Sequence, residues 1–418
     1  MSKEKSTEIN YKKTIYACFT GYIVQAIVNN FAPLLFLTFQ KQYHIPLSQI
    51  TLLVTINFGL QLLVDLLAVG FVDRIGYRAS VIIAHFCSAA GLVALAFLPE
   101  LLSNPFNGLL IAVFIYAVGG GLLEVLVSPM VEACPTENKE KTMSMLHSFY
   151  CWGYVGMVLI SSLFFAVMGI DNWKILACIW ALVPFLNAFS FFKTPIATLT
   201  DESGTGLKMG ELFRNKVFWI LLLLMVCAGA SEQSVNQWAS TFAEQSLGVS
   251  KTVGDLAGPM MFAVMMGISR TIYGKYGHKI DFNKFMIFSG LLCAFSYLVI
   301  SLSPWPVLGL VGCAVCGFSV GIMWPGTFSL AAVSIKGGGT TMFALLALAG
   351  DLGCSGGPTF VGLVSGAFGD NLKAGILGAI LFPVILVIGI LTERAMRRTV
   401  WKNEDLVVQG NGGGTQSL

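Results

Sequence analysis

Charge is what this chain has least of. Only 11% of its 418 residues are Asp, Glu, Lys or Arg, against about a quarter in soluble domains, while 56% are apolar. A water-soluble fold of this length has no interior large enough to hide that much apolar surface, so the solvent implied is lipid. Net charge is only +3, which gives no case for a nucleic-acid partner. No GxxxxGK[ST] stretch occurs anywhere, and the glycine clusters Gly119–Gly121, Gly337–Gly339 and Gly356-Gly357-Pro358 read as close-packing and bending positions, not phosphate cradles. With no nucleotide engine, uphill work would have to draw on an ion gradient. The ten cysteines are scattered, and the one CxxC, Cys313 and Cys316, lies inside an apolar run without a second pair. Neither a disulfide framework, a metal site nor a cofactor is expected. No Ser/His/Asp constellation suggests an enzyme. The N-terminal MSKEKSTEINYKK lacks the short apolar core and small-residue cleavage site of a signal peptide, so the first apolar run is expected to stay.

What the chain has in abundance is apolar runs of spanning length, about 20 residues each. They fall at roughly 14–40, 49–71, 79–98, 107–133, 142–168, 173–193, 216–243, 254–274, 284–303, 307–334, 340–367 and 373–396. The fold expected is an all-α integral membrane protein with twelve transmembrane helices. With the N-terminus placed in the cytoplasm, twenty Lys and Arg fall in inner segments and only Lys41, Lys174, Lys251 and Lys373 in outer ones; Arg270 sits near the inner end of the eighth run. That bias predicts a multi-pass plasma (cell inner) membrane protein with both termini cytoplasmic.

The longest polar interruption, 194–215, divides the chain into six runs plus six. The expected organisation is a cytoplasmic segment 1–13, an N-terminal half 14–193, a central loop 194–215, a C-terminal half 216–397 and a largely disordered tail 398–418. Within the central loop, DESGTG reads as flexible and LKMGELFRN as a short basic amphipathic helix on the membrane surface. The halves echo each other. Gly70-Phe71-Val72-Asp73-Arg74-Ile75-Gly76-Tyr77-Arg78 follows the second run, and Gly274-Lys275-Tyr276-Gly277-His278-Lys279 follows the eighth, with Gly76 and Gly277 201 residues apart. Gly121 to Ser128-Pro129 and Gly317 to Trp324-Pro325 match at a similar offset of 196 between the prolines. Two matches at nearly one offset indicate parallel repeats.

The Gly70–Arg78 stretch resembles the loop signature of the major facilitator superfamily, and the resemblance extends over about 14–397. It implies two six-helix halves that rock about a midplane site, with a gating latch formed by Asp73 and Arg74 and extended here to Gly70, Gly76, Arg78 and Asp65. Tyr77 departs from the family's usual Arg, and the second copy lacks the Asp. More narrowly, the chain is similar to the fucose–proton symporter family. Glu124 stands four residues before Ser128-Pro129; His147, Phe149 and Gly153 keep a fifth-helix spacing, with His in place of Gln; and Asn29-Asn30 matches a first-helix pair. The first-helix Asp of the fucose carriers has no counterpart, Pro33 standing near its place. The resemblance implies transport of sugars with protons.

Ionisable groups inside spans are costly, about 2.5–3.5 kcal/mol at the bilayer centre on insertion scales, and so mark function by default. Glu124 and His147 are the proton-coupling candidates, because a buried carboxyl and an imidazole can each take and give a proton near neutrality. Substrate-binding candidates are Asn29, Asn30, Asn57 and Gln61 from the first two runs, and Tyr150 and Trp152 from the fifth. The seventh run adds the dense polar stretch Glu232, Gln233, Asn236, Gln237 and Trp238, and Trp324 and Asp351 complete the set. Amides and a carboxylate beside an indole ring suit sugar hydroxyls and a sugar's C–H face. Each of these polar groups could equally glue helices together. Arg270 apart, the spans hold almost no Lys or Arg, which favours a neutral polar, sugar-like solute. The expected partners are that solute, protons and the lipid bilayer, with the chain working as a monomer. A drug or cation–proton antiporter, and a non-transporting membrane sensor of the same fold, are the alternatives.

Overall fold

The computed structural model describes residues 10–136, 139–196, 207, 209–276, 282–335 and 338–412. Among them are twelve helices long and apolar enough to cross a membrane. They are α1 Lys12–Tyr43, α2 Leu47–Leu67, α3 Tyr77–Leu101, α4 Pro105–Ala133, α5 Met145–Met168, α6 Ile170–Lys193, α7 Lys216–Asn236, α8 Lys251–Tyr273, α9 Asn283–Leu302, α10 Pro306–Ser334, α11 Thr341–Ala367 and α12 Leu372–Met396. The helix is forced by the solvent, since lipid offers backbone groups no partners and only an internally bonded segment can cross. Starts are marked by side-chain caps: Asn104, Asn215, Ser250 and Asn371 each accept a backbone N–H from the first turn that follows.

Packing repeats between the halves. In the N-terminal half α3 lies against α4 and α6, α2 against α4, and α1 against α5; in the C-terminal half α9 lies against α10 and α12, α8 against α10, and α7 against α11. Adding six to each helix number converts the first set into the second. The halves meet through α2 with α11 and through α5 with α8, a pair of contacts that the same relation exchanges. The outer surface is studded with exposed Leu, Phe, Ile and Trp, such as Leu163, Phe189, Trp219 and Phe295. All ten cysteines are free thiols.

Four spans are not continuous. A 3₁₀ turn, Ala32–Leu35, interrupts α1 at Pro33, and a π-turn, Leu256–Met260, interrupts α8 at Pro259. Within α10 the helix breaks between Val320 and Met323, and within α12 between Gly378 and Leu381. The seventh run, read as continuous to 243, turns at Gln237-Trp238 and resumes as a short helix, Ala239–Leu247. Loop segment 197–206 contains the DESGTG stretch and lies outside the described residues; Met209–Arg214 forms the expected short helix, with Leu212 buried. The last helix runs on to Gly412, into the segment expected to be disordered, because TVWKNEDLVVQ contains no helix breaker before Gly410.

Close approach of α7 to α11 needs glycine. A Cβ at Gly353 would stand 2.0 Å from the Val226 carbonyl oxygen, and one at Gly229 would stand 2.2 Å from that of Gly350. At Gly356 on the same helix a Cβ meets nothing within 4 Å. Gly353→Ala is therefore expected to destabilise the purified protein by about 1–3 kcal/mol. Gly356→Ala should be neutral. Equal melting temperatures for the two variants would contradict this packing.

Candidate functional site

A cavity of about 980 Å³ lies between the halves, at the upper end of the range for small-molecule sites. Its wall is drawn from both halves: Tyr22, Gln25 and Asn29 of α1, Phe58 and Gln61 of α2, Glu124 of α4, His147, Ser148, Tyr150, Cys151 and Trp152 of α5, Glu232 and Gln233 of α7, Arg270 of α8, Trp324 and Phe328 of α10, and Asp351 and Cys354 of α11. His147 and Thr271, both in the wall, are exposed, so the cavity opens toward the face on which α1 begins and α12 ends.

Toward the opposite face the cavity is roofed by a polar seam. Asn236 donates to Asn30 Oδ1 at 3.1 Å and to Gln233 Oε1 at 3.1 Å, and accepts from the Tyr154 hydroxyl at 2.6 Å. Gln237 donates to the Asn29 carbonyl at 3.3 Å and to Gln233 at 3.1 Å. Gln61 donates to Asn29 Oδ1 at 2.9 Å and to Asn57 Oδ1 at 3.0 Å. Asn30 also reaches the Tyr150 hydroxyl at 3.3 Å. Further out, Trp238 donates to the Pro358 carbonyl at 3.0 Å and Thr55 bonds Thr359 at 2.6 Å. Lys251 completes the closure. It donates to the Leu34 carbonyl, beside the Pro33 break, and pairs with Asp255 at 2.9 Å and Glu244 at 3.3 Å. Burial pushes the Glu244 carboxyl up from its ordinary range, offset in part by Lys251.

Two charged groupings remain below the seam. Carboxyl oxygens of Asp65, Glu124 and Asp351 all lie within 4.8 Å of one another, joining α2, α4 and α11. The other grouping is Arg270, whose guanidinium lies 3.5 Å from Glu232 and 3.5 Å from the Cys151 sulfur, with a further contact of 3.3 Å to the Gly321 carbonyl. The two contacts to oxygen are long, and the guanidinium has five N–H donors, so Arg270 keeps donor capacity toward the cavity. Tyr22 stands beside His147, ring centroids 5.4 Å apart, and bonds Ser128 at 2.6 Å. Trp324 seats on Gly350, where a Cβ would stand 2.3 Å from its ring; the glycines around Asp351 thus serve close packing within an unbroken helix.

Of the residues singled out in the sequence, Asn29, Gln61, Glu124, His147, Tyr150, Trp152, Glu232, Gln233, Trp324 and Asp351 line the cavity. Asn30, Asn57, Asn236, Gln237 and Trp238 instead build the roof, each bonded to protein partners. Asp65, assigned to the latch, belongs to the three-acid cluster. Arg78 ties α3 to the end of α6 through the Phe191, Phe192 and Thr194 carbonyls, Gly76 takes a left-handed φ of 83° between α2 and α3, and Arg74 is exposed. Gly70 lies in the helix Leu47–Ile75, and the Asp73 side chain lies outside what the structure describes. Missed altogether were Gln25, Tyr22, Cys151 and the role of Arg270. A lone Gln in a 19-residue helical stretch otherwise rich in apolar residues was a visible signal at Gln25.

Residues 17–358 match the sequence profile of the Major Facilitator Superfamily, and the chain belongs to that family of membrane transporters. Its fold is shared with the E. coli fucose:proton symporter FucP, 17% identical, TM-score 0.62, covering 92% of this chain and 99% of that one. It is also similar to a D-xylose–proton symporter, 14% identical, TM-score 0.73, covering 92% and 97%. A bacterial homolog of the human lysosomal transporter Spinster, inward-facing and occupied, is 14% identical, TM-score 0.70, covering 91% and 96%. No curated protein sequence matches the chain significantly.

The seam makes a stability prediction. Asn236→Leu strips partners from buried Asn30, Tyr154 and Gln233, and each orphaned polar group costs about 1–3 kcal/mol. The variant should melt well below the native protein, whereas Trp152→Leu, at a residue 57% exposed, should not. A native-like melting temperature for Asn236→Leu would show that the seam does not hold the roof.

Proposed function

We propose that this protein is a secondary active transporter that carries a monosaccharide or similar neutral polar solute together with protons by alternating access. One observation carries the reading: Glu124, in a cluster of three carboxyls joining both halves, faces a large cavity with polar side chains in a mostly apolar wall, closed at one end by hydrogen bonds between the same two halves. Three carboxylates this close, in a low-dielectric surround, cannot all be charged at once. A proton on Glu124 lowers the charge of the cavity and permits the halves to rock with solute bound. Its release on the far side frees both. The Lys and Arg bias supports cytoplasmic termini, so the open face is read as the cytoplasmic one, in the plasma membrane.

The solute class follows from the wall. Arg270 and Glu232 cancel in net charge, and with Gln233, Asn29 and His147 they offer donors and acceptors to hydroxyls, while Trp324 and Tyr150 offer ring faces. A single proton moving through 100 mV supplies about 2.3 kcal/mol, enough for about fifty-fold accumulation of a neutral solute.

Uptake of a labelled monosaccharide panel into proteoliposomes, with and without an inward proton gradient, tests this. One sugar should accumulate, and a protonophore should abolish the accumulation. Glu124→Gln, which cannot release a proton, should lose accumulation yet keep sugar exchange. Uphill uptake by that variant at the native level removes Glu124 from the coupling role. Arg270→Ala should raise the half-saturating sugar concentration about tenfold or more, because it leaves Glu232 unpaired and removes a charged donor.

A further inference from the structure

We propose that Asp65, Glu124 and Asp351, with the side-chain carbonyl oxygens of Gln25 and Gln61, form a sodium-ion site bridging the two halves. The inference rests on the reading of this cluster as the place where the coupling ion binds, and it adds a metal cation to the proton on Glu124.

Two amide side chains point independently to a cation. Gln25 and Gln61 are 4% and 2% exposed, and the Oε1 of each is buried without a hydrogen-bond partner. Gln25 and Glu124 stand in the same cavity wall. Gln61 has both N–H bonds committed to Asn29 and Asn57, and its Oε1 faces α4 at Gly120, one turn before Glu124. On α2, Gln61 is one turn before Asp65, so the two share a face. Both Asp65 oxygens are likewise buried, with no donor from an amide or hydroxyl and the carboxyls of Glu124 and Asp351 as neighbours. A buried carbonyl oxygen without a donor costs about 1–3 kcal/mol, and here two such oxygens belong to residues that line the same cavity as Glu124 and Asp351.

The donor set is oxygen alone, which selects a hard cation over a soft one. Three oxygens no more than 4.8 Å apart hold a central ion within about 2.8 Å of each, and a shift of a few tenths of an ångström reaches hard-cation bonding distance. Affinity rises with the number of charged ligands and the charge of the ion. An ion that must leave in every transport cycle is therefore monovalent. Asp351 comes from the C-terminal half and the other ligands from the N-terminal half, so a bound ion would link the halves below the cavity roof.

Thermal unfolding of the purified full-length protein in sodium, potassium and choline chlorides of equal ionic strength tests the site. Sodium alone should raise the melting temperature by a few degrees, saturably. Radioactive sodium should bind the native protein and be displaced by unlabelled sodium but not by potassium. Asp65→Asn and Asp351→Asn should each abolish the sodium-specific shift. Gln61→Leu, which removes no charge, should weaken half-saturation about tenfold. Equal melting in all three salts with no saturable sodium binding overturns the proposal, as does a sodium shift intact in both Asp variants. Sugar accumulation driven by protons in sodium-free vesicles, with no sodium binding, would leave the transport reading standing and remove only the sodium site. Sodium binding with no sugar moved under either gradient would do the reverse.

Discussion

The seam of amides between α1, α2 and α7 is the constraint on which the rest of this structure depends. It gathers Asn29, Asn30, Asn57, Gln61, Gln233, Asn236 and Gln237 into one buried cross-section, a cost that only near-complete mutual bonding makes tolerable. Once these groups are joined, the halves are held together toward one face. The cavity is then left to open toward the other. The break at Pro33, the turn at Gln237-Trp238 and the Lys251 contact to Leu34 all sit in this closed region, where a regular helix would leave the backbone too straight to supply the partners.

Below the seam, charge replaces amides. Arg270 and Glu232 form one pair of opposite sign, and Asp65, Glu124 and Asp351 form a cluster of one sign. These two arrangements do different work. An opposite pair is close to neutral and can offer hydrogen bonds to an uncharged solute without adding a net field. A same-sign cluster is intolerant of its own full charge. Both arrangements border one cavity, and the acid cluster draws on α2 and α11, which form one of the two contacts between the halves.

Much of the fold was legible because lipid makes run length a strong signal: twelve runs became twelve spans, with ends shifted by a few residues. The interruptions were less legible. Pro33 and Pro259 mark two of them, and the break after Val320 falls at Gly321, whose carbonyl Pro325 cannot bond, but the turn at Gln237 carries no such local marker. For the site, the polar residues were found and their grouping was not. The stretch Glu232 to Trp238 reads as one binding motif, yet a single helical turn carries it from cavity wall to sealed roof. Asp65 reads with Asp73, eight positions on, because chain proximity is all a sequence offers; the approach of α2 to α4 and α11 places it with Glu124 and Asp351. The count of cations in the spans argued for a neutral cavity, yet its one exception, Arg270, stands in the cavity wall, balanced there by Glu232.

The chemical character of the seam also explains why it can act as a gate and not merely as a weld. Exchange of an amide–amide hydrogen bond for bonds to water changes free energy by only about 0.5–1.5 kcal/mol, so a roof of neutral amides opens at modest cost once water enters. A roof of ion pairs would meet steeper terms on both sides, desolvation when shut and exposure of separated charges when open. The helix pairing allows the matching closure. Because the relation between the halves exchanges the α2–α11 contact with the α5–α8 contact, loosening one can be answered by tightening the other without repacking either half. The carboxyls and Arg270 then stay near the pivot, where a change of occupancy alters the charge between the halves while the amides beyond them trade partners with water.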